Sequence, residues 1–282
     1  MPKRIVKKLE DAALAILKAI LRNVKRVLKE NYGLTKISIK PIGGGAARLS
    51  IPCKVVGTRG KERIPYFAKI IGPADFVSSL SMQFLKNLYL QTMSKDPLFD
   101  SPASAGELAK YQYDMLKAMR RIRVPTAKPF GYHPIDEIRW LLVVEFIEAK
   151  PLPSIEAKTE DMDRAFKHLK NMHDNRIFHG DVKPDNLMVG KKLYILDVGR
   201  FRDGVPIKEK QAYDLSCMIC CFLTHFLQKE IITVARKYYP PKALKEAADY
   251  VALIKKRPDF FITDDVANKL TKLMRKQNRP PK

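Results

Sequence analysis

The stretch His179-Gly180-Asp181-Val182-Lys183-Pro184-Asp185-Asn186-Leu187-Met188-Val189, then Gly190-Lys191-Lys192, then Leu193-Tyr194-Ile195-Leu196-Asp197-Val198-Gly199-Arg200, decides how this chain is read. Two apolar runs, Leu187 to Val189 and Leu193 to Leu196, have the length of short strands. Gly190-Lys191-Lys192 supplies the turn between them. A hairpin this short sets the residue before its first strand beside the residue after its second, so Asn186 and Asp197 should meet. An amide oxygen and a carboxylate at one point suit a hard cation such as Mg²⁺, which seeks oxygen and keeps waters and phosphate oxygens as further ligands. Asp181, upstream of Asn186, is left to face another group. The plainer reading of the same residues is a buried hairpin flanked by turn-favouring Asp and Asn.

Composition sets the frame for that hairpin. A chain of 282 residues with ordinary apolar content can bury a real core, as one large or two small lobes. Its formal charge of +23 favours anionic partners: nucleotide, nucleic acid, ribosome or anionic lipid. Three of the four cysteines crowd into the apolar run Cys217-Met218-Ile219-Cys220-Cys221-Phe222, where thiols act as small hydrophobes in a buried helix. No metal-binding Cys or His spacing accompanies them, so a reducing, cytoplasmic location is expected. No run has the length of a membrane span, and the N-terminus lacks the pattern of a secretory signal.

Outward from the hairpin, the upstream half alternates helix and strand. Pro2 to Glu30 carries Ile5, Leu9, Ala12, Ile16, Ile20, Val24 and Val27 at helical spacing, with Lys and Arg opposite. Such a basic amphipathic helix packs on its own domain or on a partner helix. Alternatively it docks on an anionic membrane or on nucleic acid. Gly33 is its expected stop. Strands follow over Lys36 to Ile42 and Leu49 to Val56, joined by Gly43-Gly44-Gly45-Ala46-Ala47-Arg48, a loop able to lay backbone N–H groups over phosphates. Ile64 to Ile71 is a third strand, and Lys69 amid its apolar neighbours wants an anionic partner. Gly72 to Ser104 suggests an inserted helix from Phe76, Leu80, Phe84, Leu88 and Leu90. Ser104 to Arg123 is the next helix, with Ser101 or Ser104 as N-cap. Trp140 to Ile147 is a nearly continuous apolar strand, and Pro151 and Pro153 mark a boundary. Asp161 to Asp174 is amphipathic and delivers the chain to His179. Beyond the hairpin, helices are expected over Gln211 to Leu227, Ala243 to Ile254 and Asp264 to Lys276.

The His-x-Asp, the Asn five residues after that Asp and the later Asp-x-Gly resemble the catalytic and metal loops of the protein-kinase-like superfamily. The resemblance covers roughly Ile37 to Phe226. It implies an α+β, two-lobed fold with a small antiparallel-sheet N-lobe and a reduced, mainly helical C-lobe. The expected domains are the helix over 1–32, an N-lobe over 33–149 with the insert at about 76–104, and a C-lobe over 150–282. By resemblance, Asp181 orients the attacking hydroxyl and Lys183 neutralises the moving phosphoryl group. Asn186 and Asp197 hold Mg²⁺. Gly43, Gly44, Gly45 and Lys69 bind the phosphates of ATP, and Glu107 orients Lys69, although counting back from Val124-Pro125 places Gln112 nearer the usual position. Glu145, through its carbonyl, and Ile147, through its N–H, meet the adenine. His179 is structural.

Two departures point to a branch, while Lys183-Pro184 is nearer to the Ser/Thr protein kinases and leaves that branch open. Gly180 stands where regulated protein kinases carry an Arg that pairs with a phosphorylated loop. Only seventeen positions separate Asp197 from Asp214, which leaves no room for a full activation segment. Both features resemble the compact atypical branch: RIO-type, lipopolysaccharide-core and aminoglycoside-phosphotransferase-like kinases. Asp214 would brace the backbone of the catalytic loop. The implied activity is ATP- and Mg²⁺-dependent transfer of the γ-phosphate to a hydroxyl on a protein, lipid or sugar. The other reading is a nucleotide-binding scaffold that docks on RNA, the ribosome or the inner face of an anionic membrane. Its basic N-terminal helix and C-terminus would make that contact; residues 1–40 carry eleven Lys or Arg against three acids.

Overall fold

The computed structural model describes residues 3–42, 51–100 and 102–276. They form an α+β protein that divides into two compact units. The first comprises Met1–Ser78, Ala103–Tyr113 and Lys128–Ile147. The second comprises Ser79–Pro102, Asp114–Ala127 and Glu148–Lys282. The glycine loop at Gly43, Gly44, Gly45 and Arg48 lies outside the described residues, as does Ser101.

The first unit is a helix laid on a sheet. Helix α1, Lys3–Tyr32, turns Ile20, Val24, Val27 and Leu28 inward, as its periodicity requires. It stops at Gly33, whose φ of +62° is the left-handed cap that a side chain would strain. Strands β1 (Thr35–Pro41), β2 (Ile51–Arg59), β3 (Glu62–Ile71), β4 (Pro129–Pro134) and β5 (Trp140–Glu145) build one antiparallel sheet in the order β1-β2-β3-β5-β4. The alternation of each strand sends Cys53, Val55, Tyr66, Ala68, Ile70, Leu141 and Val143 into the core with α1. By the same alternation Lys69, between Ala68 and Ile70, points to the opposite face, paired with Leu142 across the strands. Gly57 is required by close approach: a Cβ there would meet the Leu34 side chain at 2.9 Å.

Helix α2, Pro73–Thr92, belongs to the second unit from Ser79 onward, not to the sheet unit in which the sequence places it. The segment after it explains why. Asp100 N–H donates to Arg200 O at 3.1 Å, Arg202 N–H donates to Leu98 O at 2.8 Å, and Phe99 stacks on Phe201. This part of α2 also departs from the apolar pattern expected of it. Gln83, Lys86 and Leu90 are buried, whereas Phe84, Leu85 and Leu88 are exposed. Helix α3, Ala105–Arg121, starts in the first unit, where Gly106 lies so close to Trp140 that a Cβ would sit 2.7 Å from the indole.

The rest of the second unit surrounds helix α5, Ile207–Cys221, which is buried from Ala212 to its end. Its three cysteines are reduced, and burial pushes the Cys217 thiol up to about 12. Helix α4, Thr159–Asp174, packs beside it. Strands β6 (Lys150–Pro151), β7 (Leu187–Val189) and β8 (Leu193–Ile195) form a small sheet in that order. Helices α6 (Gln228–Ala235), α7 (Pro241–Ala248), α8 (Val251–Lys255) and α9 (Asp264–Arg275) complete it. The single helix expected from Ala243 to Ile254 is two, broken at Asp249-Tyr250. Among the described residues no helix is long and apolar enough to cross a membrane.

Candidate active site

The β7–β8 hairpin is built as its sequence demands, with Leu187 facing Ile195 and Val189 facing Leu193. It brings Asn186 to Asp197: Asn186 Nδ2 donates to Asp197 O at 3.2 Å, and Leu196 N–H donates to Asn186 O at 2.9 Å. The same Nδ2 donates to Asp181 O at 2.9 Å. Both amide protons are thus committed to carbonyls, and Oδ1 remains as the acceptor end of a buried side chain. Asp197 holds φ at +55°, an uncommon conformation for a non-glycine residue and a sign of local constraint. One amide oxygen and one carboxylate make an oxygen-only donor pair that fits Mg²⁺. Among the described residues no group of three or more His, Cys, Asp or Glu could hold a metal. A cation here would take its other ligands from phosphate and water.

The loop before the hairpin is held from beneath by Asp214 of α5. His179 N–H donates to its Oδ2 at 2.6 Å and Gly180 N–H to its Oδ1 at 2.8 Å. Asp214 is fully buried, so these charge-assisted bonds are what make its burial tolerable. His179 is also fully buried. Its Nδ1 accepts from Asp181 N–H at 3.2 Å, which assigns the remaining proton to Nε2, 3.1 Å from Leu196 O. Burial pushes its pKa down, so the ring stays neutral and serves as a spacer between the two loops.

Gly180 has its own explanation in this packing. Its φ is +72°, and a Cβ would meet Gly199 O at 2.8 Å; a Cβ on Gly199 would meet the carbonyl of Gly180 at 2.9 Å. Gly199 N–H donates to His179 O at 2.8 Å. The two loops touch backbone to backbone, and an Arg at 180 has no room.

Asp181 carries more partners than its sequence context suggests. Arg257 Nη2 donates to its Oδ1 at 2.8 Å, Lys86 Nζ lies 3.5 Å from the same oxygen, and Lys183 Nζ lies 3.5 Å from Oδ2. Burial alone would raise the carboxyl; Lys86, then Arg257 and Lys183, outweigh it and hold the group well below the usual carboxylate range. In return Asp181 raises the pKa of Lys183, which stays charged. Arg257 is 3% exposed and also bonds Asp259 at 2.9 Å and the Tyr213 hydroxyl at 2.8 Å.

Neither Lys86 nor Arg257 follows from the motif, since each arrives from a distant segment. Lys86 left one signal: it is a lysine inside Phe84-Leu85-Lys86-Asn87-Leu88, the same anomaly that singles out Lys69. Arg257 left none, because Lys255-Lys256-Arg257 reads as a solvated basic run.

The first-unit candidates are placed separately. Lys69 sits on β3, on the face away from α1. Glu107 lies in the first turn of α3, where its Oε2 accepts from Ala103 N–H and its own N–H donates to Ser104 Oγ at 3.1 Å. Ser104 is therefore the N-cap, with Glu107 three residues on. Gln112, the other candidate for that role, is buried. Glu145 ends β5, bonded to Lys128 through both its N–H, at 2.8 Å, and its carboxylate, at 3.1 Å. Ile147 follows in a segment that belongs to no strand.

Comparison with known proteins agrees with this geometry. Residues 85–219, which contain the hairpin and Asp214, match the model of a phosphotransferase enzyme family (APH). The RIO-type serine/threonine-protein kinase Rio1 of Thermoplasma acidophilum is 25% identical over 129 residues, 44% of this chain and 59% of that one. Residues 85–219 are thus similar to phosphotransferases of the protein-kinase-like superfamily. The fold is shared with a protein from Haemophilus somnus 129PT assigned as a fructosamine-3-kinase: TM-score 0.50, 9% identity, covering 92% of this chain and 97% of that one. Rad53 in complex with AMP-PNP aligns at TM-score 0.44 and 15% identity, over 89% of this chain and 60% of that one, too loosely to bear on the site. The alignment to Rio1 spans less than two thirds of that protein. Together the family match and the relatives support a phosphotransferase of kinase type.

Proposed function

We propose that the protein transfers the γ-phosphoryl group of ATP, with Mg²⁺, to a hydroxyl of an acceptor on a protein, lipid or sugar. The observation that carries this reading is the loop braced by Asp214, which gathers Asp181, Lys183, Asn186 and Asp197 around one hairpin. Asn186 Oδ1 and the Asp197 carboxylate would hold Mg²⁺, which would supply charge neutralisation to the phosphates. Lys69 and the backbone of Gly43 to Gly45 would meet the phosphates, with Glu107 orienting Lys69. The adenine edge would meet Glu145 O and Ile147 N–H.

The acceptor oxygen forms its bond to the γ-phosphorus as the bond from phosphorus to the β-bridging oxygen breaks and ADP leaves. Asp181, held ionised, aligns the hydroxyl. It is a weak base in this setting, so it takes the proton late, once the new ester bond is largely formed, and passes it to solvent. Lys183, kept charged by Asp181, meets the charge on the transferring oxygens.

The test is label transfer from γ-labelled ATP, or its hydrolysis, in the full chain. Asp197→Ala should remove at least about a hundredfold of the activity, the scale set by deleting a group that stabilises transition-state charge. Activity that survives the change overturns the mechanism.

A second reading concerns where the protein works. Leu14 and Ile16 are exposed on basic helix α1, ahead of the part that packs on the sheet. This supports docking on an anionic membrane surface. Sedimentation with phosphatidylserine vesicles should fall as salt rises, and binding equal to that of neutral vesicles rejects it.

A further inference from the structure

Lys86 is the least satisfied cation in the second unit's buried cluster. Its side chain is 8% exposed, and its nearest carboxylate oxygen, 3.5 Å away, is already held by Arg257 at 2.8 Å. The Phe99 ring also lies beside it, 5.0 Å to the centroid. Around Asp181 three cations, Lys86, Lys183 and Arg257, face Asp181 itself and Asp259, which Arg257 engages at 2.9 Å. Lys183 also feels Asp197, and Arg257 has Asp259, so Lys86 is the cation left to share its one near carboxylate. Burying a lysine on those terms is costly unless an anion completes its shell.

One helical turn before Lys86, and therefore on the same face of α2, lies Gln83. It is 8% exposed, and its Oε1 is buried with no hydrogen-bond partner. An amide can present either end to a ligand, so Gln83 offers a donor to an anion or an acceptor to a hydroxyl. Helix α2 thus turns a polar face inward beside Asp181 while leaving Phe84, Leu85 and Leu88 in solvent. That inversion costs apolar burial, and a structural helix in this position would be expected to do the reverse.

We propose that Lys86 and Gln83 form an oxyanion subsite beside Asp181, which selects an acceptor bearing a phosphate or carboxylate near the hydroxyl that is phosphorylated. Lys86 binds the oxyanion by charge, and Gln83 fixes its orientation. Such an anion would also draw Lys86 away from Asp181 Oδ1, leaving Arg257 as the partner of that oxygen and easing the approach of the acceptor hydroxyl.

This inference rests on the phosphotransferase reading for its acceptor, but its binding step can be measured alone. The full chain is titrated calorimetrically with inorganic phosphate, first without nucleotide and then loaded with Mg²⁺ and the inert analogue AMP-PNP, which fills the γ-phosphate position. Acetate serves as the carboxylate probe in parallel. Wild type should bind at least one of the two saturably in both states. Lys86→Met, close in length and apolar, should weaken that binding at least tenfold with AMP-PNP affinity unchanged, and Gln83→Leu should weaken it less.

Saturable binding of neither probe, or equal binding by Lys86→Met, overturns the proposal. Should Lys86→Met be poorly folded, Gln83→Leu decides, because it removes no charge; unchanged binding there overturns the subsite as drawn. Failure of AMP-PNP to bind would count against the phosphotransferase reading instead, and the nucleotide-free titration would still decide for or against the subsite.

Discussion

The two units bury different things. The core of the first is chiefly apolar: α1 and the five-stranded sheet meet through Val24, Val27, Leu28, Val55, Ala68, Leu141 and Val143. Among the described residues the second buries Lys86, Asp161, His173, His179, Asn186, Asp214 and Arg257, whereas Gln112 is the buried polar residue of the first. Apolar burial stabilises without direction, so the first unit tolerates many side chains of similar volume. A buried charge is tolerated only where its partners are placed to accept it, so the second unit specifies geometry at the expense of stability. The difference puts the buried charges in the unit that holds Asp181 and Asn186. The hydrogen bonds that position Asp181 and Asn186 are the same ones that make the second unit's interior affordable.

The largest test of this contrast is Asp214→Ala. It strips acceptors from His179 N–H and Gly180 N–H in a fully buried site and should destabilise the chain by about 3–5 kcal/mol. Urea unfolding measures that loss, and phosphoryl transfer by the remaining folded protein should fall with it because the loop loses its floor. Leu28→Ala in the first unit comes next, at about 2–5 kcal/mol from lost burial and the cavity left behind. Here the folded fraction should keep its activity. If both variants lose activity per folded molecule to the same degree, the division of labour fails.

How far the sequence reveals each unit follows from the same physics. Helix α1 was readable because its interior contacts are apolar and recur at helical spacing. The hairpin from Leu187 to Leu196 was readable because its strands are local and its ends must meet, whereas the role of Asp214, 34 residues from Gly180, came from the family resemblance. Phe84 and Leu88 mark helix α2 but lie exposed in it, since Gln83 and Lys86 turn inward, Lys86 toward Asp181 at 95 residues' separation. Arg257 was invisible for the same reason. Periodicity encodes the average solvent exposure of a face. It does not encode a single long-range ion pair that overrides it.

The smallest expected effect uses pH to separate the units. Of the chain's five histidines, His133 lies in the first unit and His168, His173, His179 and His225 lie in the second. Burial on α4, helped by Lys167 and Arg164, pushes the His168 pKa down to about 4, against 6.5 in the unfolded chain. The folded state therefore binds fewer protons than the unfolded one between those values. The contribution of His168 is complete above pH 6.5 and is lost progressively as pH falls through 4. His133 is also lowered by burial, but it is the first unit's single histidine. Amide hydrogen exchange, corrected for its intrinsic pH dependence, should thus show α4 losing protection between pH 7 and pH 5 more than β3 and β5 do. His168→Gln keeps a polar group without the titration and should flatten the acid loss in α4 while leaving the sheet unchanged. Equal loss of protection in the two units would mean that they unfold as one, and the contrast between an apolar scaffold and a charge-bearing site would then be one of chemistry alone, with no separate stability behind it.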